Sequence, residues 1–273
     1  MTEHSLCKLC NGNLEMVLHT PPVTKCTSCS LIFYKPIVTL EQLKETYKQL
    51  YSKGNEYQVH LDQLAKIQAK KQLPIGYNKS YVIKEVLKHN HSPQFLEIGA
   101  GVGFVAQYLL RKGYSYQGLE YEPGIAALST TTGLPIEQGD FHSLPNLPKN
   151  YNTVLFFEVL EHVQDLKEVL TVLKEQLLPG DLIGFTVPNF DVYKNFSKVP
   201  NRVYGSPPPI HVNFFTLQSL GQILPAYGFE PIMLKSRPIP QYGGKPMQYI
   251  KHWFNYLRGR FYGSNIFCVA KKQ

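Results

Sequence analysis

The chain has 273 residues, 43% of them apolar, with 28 lysines and arginines against 20 aspartates and glutamates, a formal net charge of +8. That apolar share can fill a sizeable core, which excludes a disordered or fibrous chain, and the lack of any run of about 18 apolar residues argues against a membrane span. No repeat or low-complexity tract is visible and no leader-like segment precedes the first cysteine, so the expectation is a cytoplasmic globular protein of one main domain plus a small module.

The first element is a cysteine framework. Cys7, Cys10, Cys26 and Cys29 form C-x2-C-x15-C-x2-C, two knuckles at a separation that reads as a four-thiolate tetrahedral zinc site. A pair of disulfides would need an oxidising compartment. With all four positions filled by protein, the zinc is expected to be structural, holding a ribbon over residues 1–36. Residues 37–78 read as a helical linker packed on the main domain, with helix-like apolar spacing from Thr39 to Leu73 that includes Tyr47, Leu50 and Tyr51. The main domain then runs over residues 79–273, opening with an amphipathic helix from Tyr81 to Lys88.

Phe95 to Phe104, FLEIGAGVGF, is a short apolar run ending in an acid and then three glycines at alternate positions, followed at once by a helix-forming run from Val105 to Arg111. Glycine lets the backbone turn tightly and approach a ligand with no Cβ in the way, so this reads as a nucleotide loop between strand and helix. A dinucleotide fingerprint would be G-x-G-x-x-G. Here the third glycine is Gly103 and Glu97 lies two residues before Gly99, and an acid there suits a cationic ligand better than a phosphate.

Downstream, Tyr116 to Glu120 reads as a second strand ending in an acid, placed where a carboxylate can accept from both hydroxyls of a ribose. Glu120 is the candidate, with Glu122 as its neighbour. Leu134 to Ile136 and Gly139-Asp140-Phe141 follow, then the apolar strand Asn152 to Phe157 leading into Glu158-Val-Leu-Glu161-His162-Val163. A helix from Leu166 to Leu177 and a fifth strand ending near Asn189 complete the alternation, which predicts a parallel sheet with helices on both faces. Beyond Pro188, Pro200, Pro207, Pro208 and Pro209 break regular structure. Leu217 to Tyr227 returns to helix and Phe229 to Leu234 to strand. A proline- and glycine-marked insertion, Pro238 to Gly263, precedes a last strand from Asn265 to Ala270 that carries Cys268 as a packing residue. Two irregular segments, 189–215 and 238–263, can roof the pocket. Nine bases stand against two acids from Asn189 to Gly263, a net of +7, so the basic surface belongs to the substrate end.

The glycine loop resembles the E/D-x-G-x-G-x-G loop of class I methyltransferases, which bind S-adenosylmethionine. CKLC, CTSC-SLIFYKP, LEQLKETYKQLYS, EVLEHV and HVNFFT (His211 to Thr216) together resemble bacterial members that carry an N-terminal zinc ribbon, many of them in sugar, polyketide and other secondary-metabolite pathways. The chain differs from the sugar C-methyltransferases of that group in lacking their long C-terminal domain. The resemblance implies an α/β class I methyltransferase fold, Rossmann-like with a seven-stranded mostly parallel sheet, behind a small zinc ribbon. It implies S-adenosylmethionine bound by Glu97, Gly99, Ala100, Gly101, Gly103, Glu120, Tyr121, Asp140 (at the adenine amino group), Phe141, Phe157 and Glu158.

Methyl transfer to a hydroxyl or amine needs an aligned acceptor and a place for its proton. His162, His211 and Glu158 are the catalytic candidates, and each histidine could instead be a satisfied packing residue. Glu158, Glu161, His162 and His211 could also form a second metal site for magnesium, manganese or zinc. ExxEH with a later histidine resembles small-RNA 2′-O-methyltransferases, and ExxEH alone resembles metal-assisted quinone O-methyltransferases. The alternative is that one glutamate caps the next helix and the other faces solvent. The acceptor is expected to be a small molecule methylated on oxygen under an aromatic roof of Phe157, Tyr204, Phe214 and Phe215, itself acidic or delivered on an acidic carrier. The rival class is a nucleic-acid-binding protein or metal-dependent RNA methyltransferase, because Tyr249 to Tyr262 mixes bases with aromatics. The ribbon is not basic, which argues against an RNA clamp. The same helix could equally cover a hydrophobic substrate or rest on a membrane.

Overall fold

The computed structural model describes residues 2–39, 41–42, 45–46, 55–69, 75–195, 208–236, 246–259 and 262–273. Tyr47, Leu50, Tyr51, Pro200, Tyr204 and Pro207 lie outside the described residues. In chain order the elements are β1 (Leu14–Leu18), β2 (Val23–Cys26), β3 (Ile32–Tyr34), α1 (Asn55–Gln68), α2 (Tyr77–His89), β4 (Gln94–Ile98), α3 (Phe104–Arg111), β5 (Ser115–Glu120), α4 (Pro123–Thr130), β6 (Ile136–Gln138), β7 (Thr153–Phe157), α5 (Leu166–Gln176), β8 (Leu182–Pro188), β9 (Asn213–Phe214), α6 (Leu217–Ala226), β10 (Phe229–Ser236), α7 (Pro246–Leu257) and β11 (Asn265–Lys272).

Seven strands form one sheet in the order β10-β11-β8-β7-β4-β5-β6. The run from β8 to β6 is parallel, and β11 is antiparallel to both its neighbours. This is the Rossmann-like methyltransferase arrangement. β7 (TVLFF) is buried at every position, as a central strand covered on both faces must be. The two faces are packed separately. Leu96, Val154, Phe156 and Phe185 meet α5 on one side, while Phe95, Leu155, Phe157 and Phe267 meet Val82, Ile83 and Val86 of α2 and Val105 and Leu109 of α3 on the other. Adjacent residues of one strand serve opposite layers because side chains alternate with period two. In α5 the buried residues Leu166, Val169, Leu170 and Leu173 sit at the i, i+3, i+4, i+7 spacing of a single helix face.

The second sheet is four-stranded and antiparallel, in the order β1-β2-β3-β9. Its last strand comes from the main domain: Ile32 pairs Phe214 and Phe33 pairs Asn213. The Tyr34 amide donates to the Val212 carbonyl at 2.9 Å. Cys7, Leu9, Cys26, Leu31 and Phe33 share a hydrophobic cluster with Phe156, Phe185 and Leu224, so the cysteine module is cored jointly with the domain it precedes. The α7 helix occupies part of the segment read from sequence as a proline- and glycine-marked insertion.

Candidate functional site

A cavity of about 730 Å³ opens at the C-terminal ends of the parallel strands, where open α/β sheets hold their ligands. Its floor is the turn after β4. Gly99, Gly101 and Gly103 all take positive φ, at 77°, 56° and 98°, a region closed to most side chains. A Cβ on Gly99 would lie 2.8 Å from Val159 Cγ2, and one on Gly103 would lie 2.4 Å from Leu134 Cδ1. Gly99 and Ala100 both donate to the Leu119 carbonyl at 2.9 and 3.0 Å, which ties the turn to the end of β5. There Glu120 accepts from the Gly101 amide at 2.8 Å and the Glu122 amide at 3.0 Å. Burial raises its carboxyl above the ordinary range, and these amides oppose the rise. Glu120, Tyr121, Asp140, Phe141 and Phe157 line the cavity with the glycine turn.

Beside the turn, the chain leaves β7, which pairs with β4, through Glu158, which holds φ at 56°. One of its oxygens accepts from Thr186 Oγ1 at 2.6 Å and from Asn265 Nδ2 at 3.1 Å. The carboxylate is ringed by protein yet open to the cavity, and desolvation raises its pKa against those two donors and Lys79. His162 also lines the cavity. Its Nδ1 lies 3.0 Å from the Ile210 carbonyl, which can only accept, so the proton sits on Nδ1 and Nε2 keeps its lone pair. Burial lowers its pKa. The His211 ring stands edge-on to it with centroids 4.7 Å apart, and burial, then His162, lower that imidazole to about 3. Glu161 is 1% exposed, neither carboxylate oxygen has a hydrogen-bond partner, and burial, then Glu158, push its pKa well up. Ligand atoms of Glu161, His162 and His211 lie within 4.8 Å of one another. The trio is tied to the second sheet, because Val212 donates to the Glu161 carbonyl at 2.8 Å and Asn213 Nδ2 donates to the Leu160 and Val163 carbonyls, both at 2.7 Å.

With this geometry in view, a family model described as a methyltransferase domain matches residues 70–234. The chain belongs to that methyltransferase family. Among solved structures it is similar to an S-adenosylmethionine-dependent methyltransferase from Archaeoglobus fulgidus (TM-score 0.54, 15% identity, 84% of this chain and 99% of that one). It is likewise similar to one from Mesorhizobium loti (TM-score 0.51, 12% identity, 72% and 99%) and to the 4+2 cyclase SpnF (TM-score 0.55, 15% identity, 87% and 98%). At these identities the likeness is one of fold, and the cyclase illustrates why fold does not fix the reaction. No match is found among curated proteins.

Within the methyltransferase domain several residues stand elsewhere than their spacing suggested. Glu97 does not line the cavity. It is fully buried beneath the turn, where it accepts from Tyr116 Oη at 2.5 Å, and burial, against Lys79 and Tyr116, raises it to about 7. Gly103 does not line the cavity but begins α3, hard against Leu134 and Ile136. Glu122 lines the cavity beside Glu120, but its carboxylate also caps α4 by accepting from the Ile125 amide at 2.6 Å. Phe214 and Phe215 do not roof the pocket: Phe214 packs with Val23, Ile32 and Phe190 and Phe215 lies in the main core, because the β9 pairing turns this segment into interior. Glu161 neither faces solvent nor caps a helix, and the cap of α5 is Asp165. Of the four candidate second-metal ligands the structure converges three and leaves Glu158 on Thr186 and Asn265. His211 reaches the cavity wall only through His162. Reasoning from sequence missed His60, Ile75, Gly76 and Lys79, which close one side of the cavity. Lys79 stands 5.3 Å from the Phe157 ring centroid.

Cys7, Cys10, Cys26 and Cys29 converge at the other end of the second sheet, with Sγ atoms within 4.8 Å of one another. Cys7 and Cys29 are 3.7 Å apart and Cys10 and Cys26 3.5 Å, far beyond a disulfide and near the roughly 3.8 Å edge of a tetrahedron with 2.3 Å zinc–sulfur bonds. Amides of Leu9, Ser28 and Cys29 point at the sulfurs, as they do where thiolates are to be stabilised. The cluster can hold zinc.

Proposed function

We propose that the protein transfers a methyl group from S-adenosylmethionine to a small-molecule acceptor, with oxygen the favoured atom, and that its cysteine cluster holds a structural zinc. The observation that carries the reading is one cavity lined by two unlike sets of residues. One set is the glycine turn and a Glu120 already oriented by two amides, and the other holds His162, an imidazole whose Nδ1 is spent on the Ile210 carbonyl and whose Nε2 keeps its lone pair. The residues fit the cofactor: Glu120 would take the ribose hydroxyls, Asp140 and Phe141 the adenine, and the floor turns through the positive φ of Gly99 and Gly101. When bound, the cofactor supplies a methyl group on a sulfonium. The protein's part is to align the acceptor and exclude water, and both are served by a concave, largely apolar pocket. His162 offers its lone pair to an acceptor hydroxyl. Its lowered pKa keeps it neutral, so activity that depends on it is present at neutral pH and falls as pH drops.

A second reading, metal-assisted transfer with Glu161, His162 and His211 as ligands, is favoured by one observation, the buried Glu161 carboxylate with no donor. One carboxylate and two imidazoles suit a transition cation better than magnesium. Incubation with methyl-labelled cofactor, offering total RNA or a small-metabolite extract, with and without a mild chelator, tests the set. Label is expected in the metabolite fraction and to persist with chelator. Label in RNA, lost on chelation, would replace this reading with the metal-dependent RNA one.

A further inference from the structure

We propose that α7 is a surface anchor that docks this protein on an anionic lipid bilayer. Met247, Ile250, Trp253, Phe254 and Leu257 are 44–77% exposed, and at about 100° per residue they fall within an arc of about 120° on one face of the helix. Among the described residues no helix or strand packs extensively against this element. An exposed apolar stripe of that width marks a docking surface, and its chemistry selects the occupant. RNA offers no apolar partner for methionine, isoleucine and leucine.

Charge decides among the rest. From Pro231 to Gly263 there is no aspartate or glutamate, against six bases: Lys235, Arg237, Lys245, Lys251, Arg258 and Arg260. A second copy of the chain would bring like charges together, whereas an anionic membrane supplies the apolar layer and the counter-charge at once. The Arg258 guanidinium lies 3.9 Å from the Phe254 ring centroid, which sets a cation beside the apolar face, the arrangement that suits a headgroup boundary. No helix of the described residues is long and apolar enough to cross a membrane, so α7 would lie in the interface plane. It belongs to the β10–β11 connection, which leaves the sheet at Ser236 and re-enters at Asn265, the residue paired with Pro188 at the end of β8. That is the end of the sheet at which the cavity opens.

Trp253 is the chain's single tryptophan, so it reports on this face without labelling. The experiment mixes the full-length protein, without cofactor, with vesicles of phosphatidylcholine alone or with added phosphatidylglycerol, and follows flotation and Trp253 emission. The expected result is flotation and a blue shift with the anionic vesicles only, both weakened by salt. The doubly substituted Phe254→Glu, Leu257→Glu protein is expected to bind on the order of a hundredfold more weakly. Both positions are exposed, and an unchanged melting curve checks that the variant folds. Absence of flotation with anionic vesicles, equal flotation with neutral ones, or undiminished binding by the variant overturns the proposal. So does a Trp253 shift produced by labelled RNA, an acidic protein or self-association while vesicles leave it unmoved. Cofactor binding, measured separately by calorimetry, fails or holds independently of these outcomes.

Discussion

Glu120 is oriented before any ligand arrives, because the amides of Gly101 and Glu122 hold its two oxygens. Its replacement by alanine is therefore expected to remove charge-assisted hydrogen bonds to the ribose worth about 1.5–3 kcal/mol, lowering S-adenosylmethionine affinity roughly ten- to a hundredfold by calorimetry. Glu97, two residues before the turn, works differently. Burial raises it from 4.5 to about 7, so its folded pKa lies above its unfolded one. The stability it contributes is complete below about pH 4.5 and is lost as pH rises through about 7. Glu97→Gln, which keeps the size and removes the charge, is expected to gain about 3 kcal/mol over the wild type at pH 8.5 and about 1 kcal/mol or less at pH 5, as read from urea melts. An equal effect at both pH values would show that the carboxyl ionises freely in the fold. The acid beside the glycines was legible in the sequence. Its direction was not, because whether a strand residue points to the cavity or beneath the floor depends on the register between β4 and β5.

At the scale of elements, the short β9 carries more than its two residues suggest. It closes the second sheet against β3, and the residues before it hold the Glu161 and His162 segment through Val212 and the Ile210 carbonyl. Structural thiolate sites contribute folding energy directly, so loss of the proposed zinc is expected to loosen this whole stack. Amide exchange is the measurement: after zinc removal Tyr34, Val212 and Asn213 should lose protection together, while Leu119 and the turn from Gly99 to Gly103 keep theirs. Exchange confined to residues before Pro36 would mean that the ribbon is an independent module, as its spacing alone suggests. The α7 helix is the opposite case, an element in which the sequence shows bases mixed with aromatics but whose bounds and exposed apolar face only the three-dimensional packing reveals.

For the whole molecule, ligand binding and stability are linked. S-adenosylmethionine at about a hundred times its dissociation constant is expected to stabilise the fold by about 2.7 kcal/mol, a rise of several degrees in melting temperature, while a nicotinamide dinucleotide at the same concentration gives none. A shift with the dinucleotide alone would overturn the cofactor reading. Much of this was determined by the sequence: the alternation of strands and helices, the glycine turn, Glu120 and the cysteine quartet are all local patterns, carried by spacing along the chain. The tertiary structure alone decided the rest. It brought His60 and Lys79 from helices ahead of the turn into the cavity wall. It buried Phe214 and Phe215 in the core and set Glu161 beside two imidazoles with no hydrogen-bond partner for its carboxyl oxygens. Each of these depends on contacts between residues far apart in the chain, such as the pairing of Phe33 with Asn213, and local periodicity reports which face of an element is apolar but not what that face will meet.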